Sequence, residues 1–214
     1  MSPGAVSRAA RLVVGLALIA VAFSLVLRAH LGLGPWHVLQ QGMADHLGIS
    51  IGESGWLQGA VLLVLALLLR ERPGVGTVAA VFLLNLLIDW LLPLIGTPHG
   101  LAGRGLTLAG GTLLMGFGAA LYLSAHLGAS PIDAVMTGLY RRLPVPLFGV
   151  RLGLEALGLA LGWWAGGEVG IGCLAIGIGI GPMIHGFLRL LRAMPERHLE
   201  GVPAGEPALA WEGA

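Results

Sequence analysis

Ionisable side chains are scarce in this chain, and three sets of them interrupt otherwise apolar stretches. In "LLNLLIDWLL", Asn85 and Asp89 stand four residues apart and share a face of any helix that holds them. In "VRLGLEALG", Arg151 and Glu155 repeat that spacing, and Gly158, Gly162 and Gly166 continue their face. His185 follows a Gly181-Pro182 step that is expected to interrupt a third apolar run. An acidic side chain at the centre of a bilayer costs about 2.5 to 3.5 kcal/mol on insertion scales, so such groups face protein or water and mark solute or ion pathways. The chemistry open to these residue types is binding of a polar solute and proton coupling through Asp89, Glu155 or His185. Each also has a plainer role. Arg151 and Glu155 suit an ion pair, and Asp89 with Trp90 suits an interfacial anchor. Asn85 suits a hydrogen bond between helices worth about 1 kcal/mol, and His185 suits packing.

A fourth set lies at two breaks in the apolar pattern. "RAHLGLGPWHVLQQG", residues 28–42, returns 96 positions later as "SAHLGASPIDAVMTG", residues 124–138. Each break places Gly and then Pro before a short polar-spotted helix, and Pro is favoured at a first helical position because its missing N–H has no intrahelical acceptor there. Ser130, Pro131 and Asp133 read as a capping box, Ser130 accepting from the first turn and Asp133 reaching back; Gly34 and His37 make a weaker cap in the first copy. The starts of the two short helices carry roughly half a positive charge each, which suits a polar or anionic solute. Pro35, Trp36, His37, Ser130, Pro131 and Asp133 therefore join Asn85, Asp89, Arg151, Glu155 and His185 as candidate pathway residues.

Other chemistries find no foothold. The seven histidines lack metal-ligand spacing, and no nucleophile, base and acid are arranged for catalysis, so neither an enzyme nor a cofactor is expected. The alternation around Gly177, Gly179 and Gly181 lacks the strand and turn of a dinucleotide loop. Cys173 stands alone and reads as a small core residue. A net charge of +1 without a run of Lys or Arg argues against a nucleic-acid partner.

The elements that must position these residues are membrane spans. The chain is 56% apolar and 11% charged, where soluble domains are roughly 45 to 50% apolar and about 25% charged. Six apolar runs are long enough to cross a bilayer: 11–27, 54–69, 75–95, 106–125, 149–165 and 170–191. Arg8 and Arg11 before "AVA" at 20–22 imitate a cleaved signal peptide, but the run continues through Leu27 and is matched by the fourth, so a retained first span is expected. "GVGT" at 74–77 returns as "GIGC" at 170–173 in the same 96-residue register. The chain thus reads as an all-α polytopic membrane protein of two repeats. Residues 1–95 hold three spans and a short helix at 35–47. A loop covers 96–105. Residues 106–192 hold three spans and a short helix at 131–143. A loose tail is expected over 193–214.

Three spans per unit turn the second unit upside down relative to the first. With both termini in the cytoplasm, ten arginines fall inside and two outside; the rival arrangement, in which both short helices cross, gives nine against three, so helix length is the better discriminator. Asp89 and His185, equivalent in the repeat, are then expected near one axis.

"LGLGPWHVLQQG", "GISIG", "GASPIDAVMTG", "VRLGLEALGLALGWWAGGEVGIGC" and the Gly181-Pro182 step together resemble the YczE/YyaS/YitT-like bacterial integral membrane proteins, chiefly the YczE-like branch. The first break in that family reads Pro-Trp-Asp where this chain has Pro35-Trp36-His37. The resemblance implies a polytopic plasma-membrane protein of unestablished activity. Two functions stay open: a small-solute transporter with its site between inverted repeats, and a non-transporting accessory or scaffold protein acting through Gly-rich helix faces. A homodimer is a further expectation.

Overall fold

The structure, a computed structural model, describes residues 3–128 and 130–193, so from residue 194 on the expected tail lies outside them. Among the described residues the chain is wholly helical, in eight helices. These are α1 (Pro3–Ala29), α2 (Pro35–Leu47), α3 (Ile51–Leu68), α4 (Val75–Leu94), α5 (Gly100–Leu123), α6 (Pro131–Tyr140), α7 (Leu147–Trp164) and α8 (Ile171–Ala193). All but α2 and α6 are long and apolar enough to cross a membrane.

Local chemistry sets the boundaries. Ser50 and Glu53 close a reciprocal capping box at the start of α3. Gly48, in the left-handed conformation at φ 68°, ends α2, and Ile49 N–H returns to the Ala44 carbonyl. α4 contains a widened π turn over Ala80–Leu84, and Asn85 donates its side-chain amide to the Val81 carbonyl at 2.7 Å. Ser24 and Thr112 return their hydroxyls to carbonyls one turn earlier, so neither leaves a polar group unpaired among apolar neighbours.

The centre is an antiparallel pair. A side chain added at Gly15 of α1 would meet the backbone of Gly118 and Tyr122 on α5; one added at Gly111 of α5 would meet Ala22 and Val26 of α1. Glycine at these points lets two backbones approach closely, the main attraction open to helices in lipid. α4 packs on α1 and α8 packs on α5. The short helices cross over: α2 packs along α7, and α6 along α3. Two backbone hydrogen bonds tie the breaks down. Gly172 donates to the Leu31 carbonyl at 2.7 Å, and Gly76 donates to the Leu127 carbonyl at 2.8 Å. Those residues are equivalent in the 96-residue register.

Both short helices start inside the bundle. The Gln58 amide donates to the Trp36 carbonyl at 3.1 Å, while Gln40, a turn further along α2, donates to the Ile51 carbonyl at the start of α3. α2 therefore begins level with a point seven residues into α3, about 10 Å below its start, and climbs back. Val135 of α6 packs with Leu62, Ala66, Val150 and Leu154, and both Trp36 and Ile132 lie against that cluster. The two helix starts meet across an apolar cluster.

Several expected boundaries move. α6 ends at Tyr140 instead of 143, because the chain turns at Arg141 and Arg142 before Pro144 and Pro146. α5 begins at Gly100 instead of 106, leaving a shorter connection after α4. α8 runs through Gly181 and Pro182 without a break, as membrane helices tolerate proline when neighbouring groups accommodate the freed carbonyl. Cys173 is buried, as expected of a core residue.

Gly162 of α7 lies against the backbone of Val38 and Leu39 on α2, whereas Gly105 of α5 faces open space. Gly162→Ala is expected to lower stability by about 1 to 3 kcal/mol, and Gly105→Ala to leave it unchanged or raise it. Thermal unfolding of the two variants in detergent checks both.

Candidate functional site

The polar residues divide between two seams, α3 with α4 and α7 with α8. At the first seam, a Cβ on Gly52, Gly55 or Gly59 of α3 would strike Asp89, Asn85 or Val81 of α4, so the helices close tightly. Asp89 accepts from Ser50 Oγ at 2.6 Å and from Gly52 N–H at 2.7 Å, placing its carboxylate at the positive end of α3. Asn85 Oδ1 accepts from the Gln40 amide at 3.0 Å. Ser54 donates to the carbonyls of Gln40 and Ile51. Asn85, Gln40 and Ser54 are buried, and every donor and acceptor named here is used within the clasp.

At the second seam the equivalent positions are Phe148, Arg151 and Glu155 on α7, and Gly177, Gly181 and His185 on α8. α7 makes no contact with α8 comparable to that of α3 with α4. A Cβ on Gly177 or Gly181 would meet nothing within 4 Å. Phe148 is 75% exposed, Arg151 is exposed, and Glu155 and His185 are half-buried. Among the described residues Arg151 and Glu155 close no ion pair, but Glu155 lies within electrostatic reach of both Arg151 and Asp133. Bulky and charged groups thus replace the glycines that close the first seam.

The break residues sit at the inner ends of the short helices. Pro35 and Pro131 occupy the first positions of α2 and α6. Ser130 Oγ accepts from Asp133 N–H at 3.3 Å and donates to Asp133 Oδ2 at 2.6 Å, so the Asp133 carboxylate accepts from the hydroxyl and does not reach back to the backbone. Gly34 caps α2 without a side chain, as expected. His37 packs on Phe23 with ring centroids 4.8 Å apart. The Trp36 indole lies over Gly158, and its N–H is buried with no acceptor among the described residues. Tyr122 donates to the Gly128 carbonyl at 3.1 Å and lies within electrostatic reach of Asp133.

The loops at the two ends differ in charge. His30 Nδ1 lies 2.9 Å from Glu168 Oε1, and Glu168 N–H donates to Gln41, fastening the first break to the α7–α8 loop. At the opposite end the equivalent residues are His126 and Arg72. There Arg141 pairs with Glu71 at 3.2 Å beside a pocket of about 330 Å³ lined by Leu69, Arg70, Glu71, Arg141 and Arg142. That pocket lies at the outer ends of α3 and α6, away from the short-helix starts.

The structure therefore gathers Arg151, Glu155, Asp133 and Ser130 in one neighbourhood and assigns Asn85 and Asp89 to another, as the clasp of the first half. Asp89 and His185 do not approach one axis. Asp89 is level with the end of α1, where Arg28 donates to the Leu92 carbonyl, and α8 starts at that same end. His185 is roughly 20 Å further along α8. Sequence reasoning passed over Gln40, Ser50, Ser54 and Gln58; Ser50 with Glu53 was legible as a capping box, and Gln40 as a polar side chain within a short helix.

A fold that is all-helical among the described residues, with six helices long and apolar enough to span and short helices begun inside the bundle, is that of a polytopic membrane protein. The chain belongs to the family described as "Family of unknown function (DUF6198)", which matches residues 6–189. An "Uncharacterized protein" of Haemophilus influenzae is 33% identical over 184 residues, 86% of this chain and 84% of that protein. The "Uncharacterized membrane protein YczE" of Bacillus subtilis is 28% identical over 202 residues, covering 90% and 93% of the two chains. The "Uncharacterized protein YyaS" of the same organism is 28% identical over 192 residues, covering 86% and 92%. No solved structure matches the chain.

Because Asp89 accepts from both Ser50 and Gly52 at the start of α3, Asp89→Asn replaces one carboxylate oxygen with an NH2 group and leaves a single acceptor for the two donors. A loss of about 1 to 2 kcal/mol is expected, the magnitude of a lost helix cap, read as a lower unfolding temperature in detergent.

Proposed function

We propose that the protein is a small-solute transporter of the plasma membrane, built from two inverted copies of one unit, with a polar path along the α7–α8 seam past Arg151, Glu155 and the start of α6. One observation carries this reading: equivalent contacts join the halves while their seams differ. The Gly172–Leu31 and Gly76–Leu127 bonds match, yet α3 is closed on α4 and α7 stands off from α8. Alternating access needs one unit held in two packings, each half acting as the template for the other's second state. The antiparallel α1–α5 pair and the short helices begun inside the bundle support the inverted arrangement. Arginines at Arg70, Arg72, Arg141, Arg142, Arg151 and Arg189 support a cytoplasmic position for the end of the bundle that holds them.

One feature favours a second reading. The short-helix starts meet across packed apolar side chains, Trp36 and Ile132 among them, where a permanently open path would need polar space. Under a scaffold role the glycine faces matter and Glu155 does not.

Two experiments separate the readings. In proteoliposomes assayed with a panel of small polar metabolites, uptake of at least one solute is expected. Glu155→Gln and Gly177→Leu should each reduce that uptake by on the order of tenfold, the loss of an interaction worth about 1.4 kcal/mol, at unchanged unfolding temperature. If no solute moves, and metabolite pools in a deletion strain also stay unchanged, the transporter reading fails. For orientation, Arg72→Cys in a Cys173→Ser background is expected to react with a membrane-impermeant thiol reagent only after the cytoplasmic face is opened. Labelling of intact cells contradicts the assigned orientation.

A further inference from the structure

We propose that the pocket between the ends of α3 and α6 binds a phosphate-bearing anion, a chemistry shared by the headgroup of an anionic lipid and by free phosphate. The pocket measures about 330 Å³, and Leu69, Arg70, Glu71, Arg141 and Arg142 line it. It is a recess open to the surface, with Arg70, Arg141 and Arg142 all exposed. Three guanidiniums against one carboxylate leave a local excess of positive charge, and guanidinium forks match phosphate oxygens in bidentate geometry.

The groups are held in place. Arg142 Nη1 donates to the Gly138 carbonyl at 2.9 Å, and Arg141 Nη1 is anchored on Glu71 at 3.2 Å. Gly138 lets α6 approach the end of α3 closely, since a Cβ there would come within 2.7 Å of the Leu69 Cβ. Arg70 adopts the left-handed conformation at φ 56°, which costs a side-chain-bearing residue free energy. The equivalent position in the second half, Gly166, is also left-handed at φ 92°, and there the residue is the glycine that conformation favours. The fold needs the turn at both ends of the bundle, but only one end carries a guanidinium on it.

The opposite end of the molecule acts as an internal control. The residues equivalent to the pocket lining are Ala165, Gly166, Gly167, Asp45 and His46, without an arginine among them. The same backbone arrangement therefore offers an anion site at one membrane surface alone. The pocket follows directly on the last turn of α3, at the end of a helix long and apolar enough to cross a membrane. The inference is independent of the transport reading.

Native mass spectrometry tests it with purified protein transferred from mixed phosphatidylglycerol and phosphatidylcholine micelles, alongside equilibrium dialysis of delipidated protein with radiolabelled inorganic phosphate. Preferential retention of phosphatidylglycerol is expected, falling roughly fivefold for each arginine removed, in Arg70→Gln and in the Arg70→Gln/Arg142→Gln double variant. Arg70→Gln leaves the Arg141–Glu71 and Arg142–Gly138 contacts in place, so it decides the matter if the double variant does not fold. Arg189→Gln, on the exposed face of α8 near the same surface, should keep the preference. Phosphate retention by delipidated wild type, lost in Arg70→Gln, supports the site with free phosphate as its source. Equal retention of the two lipids with no phosphate bound overturns the proposal, as does an equal loss in Arg189→Gln.

Discussion

The architecture depends on keeping backbone polar groups paired at two places where the chain stops being helical among apolar helices. Apolar surroundings offer no hydrogen bonds, so an irregular segment there must find its partners in protein. The break after α1 finds one in α8, where Gly172 donates to the Leu31 carbonyl, and the break after α5 finds one in α4, where Gly76 donates to the Leu127 carbonyl. Glycine is required at these contacts, because a Cβ on Gly172 would collide with the Gly32 carbonyl and one on Gly76 with the Leu127 carbonyl. Each bond runs from one half of the chain to the other. The same interaction that permits a break thus fastens the halves together.

From that constraint follows the crossed placement of the short helices. A chain anchored at Leu31 by the other half enters the bundle beside α7, and α2 climbs along α7 with Gly158 and Gly162 admitting Trp36 and Val38. The second copy does the same along α3, with Gly138 against Leu69. Equivalent contacts then hold two seams that differ in composition. Gly52, Gly55 and Gly59 let the Asn85 and Asp89 side chains reach α3, and a hydrogen-bonded clasp forms. Phe148, Arg151 and Glu155 fill the same positions on α7, and α8 stands away.

Side-chain types gave the spans, the 96-residue register, the Pro-started short helices and the family neighbourhood. Roles were harder to read. Asp89 and Glu155 look alike in sequence, each a lone carboxylate four residues from a polar partner on an apolar helix. Their difference lies in what faces them: the start of α3 with two donors for Asp89, and Asp133 and Arg151 within electrostatic reach for Glu155. Gly181-Pro182 reads as a break, yet α8 continues through it, because tertiary surroundings decide whether a freed carbonyl can be accommodated.

Composition by itself determined that this chain lies in a membrane, and hydrophobic run length determined six crossings, because both follow from transfer free energies that act residue by residue. Repetition at fixed spacing raised the expectation of two equivalent units. Only the tertiary structure decided which helix each glycine admits, which carboxylate is satisfied, and which seam packs tightly. Those outcomes depend on contacts between residues far apart in the chain, and a linear pattern does not contain them.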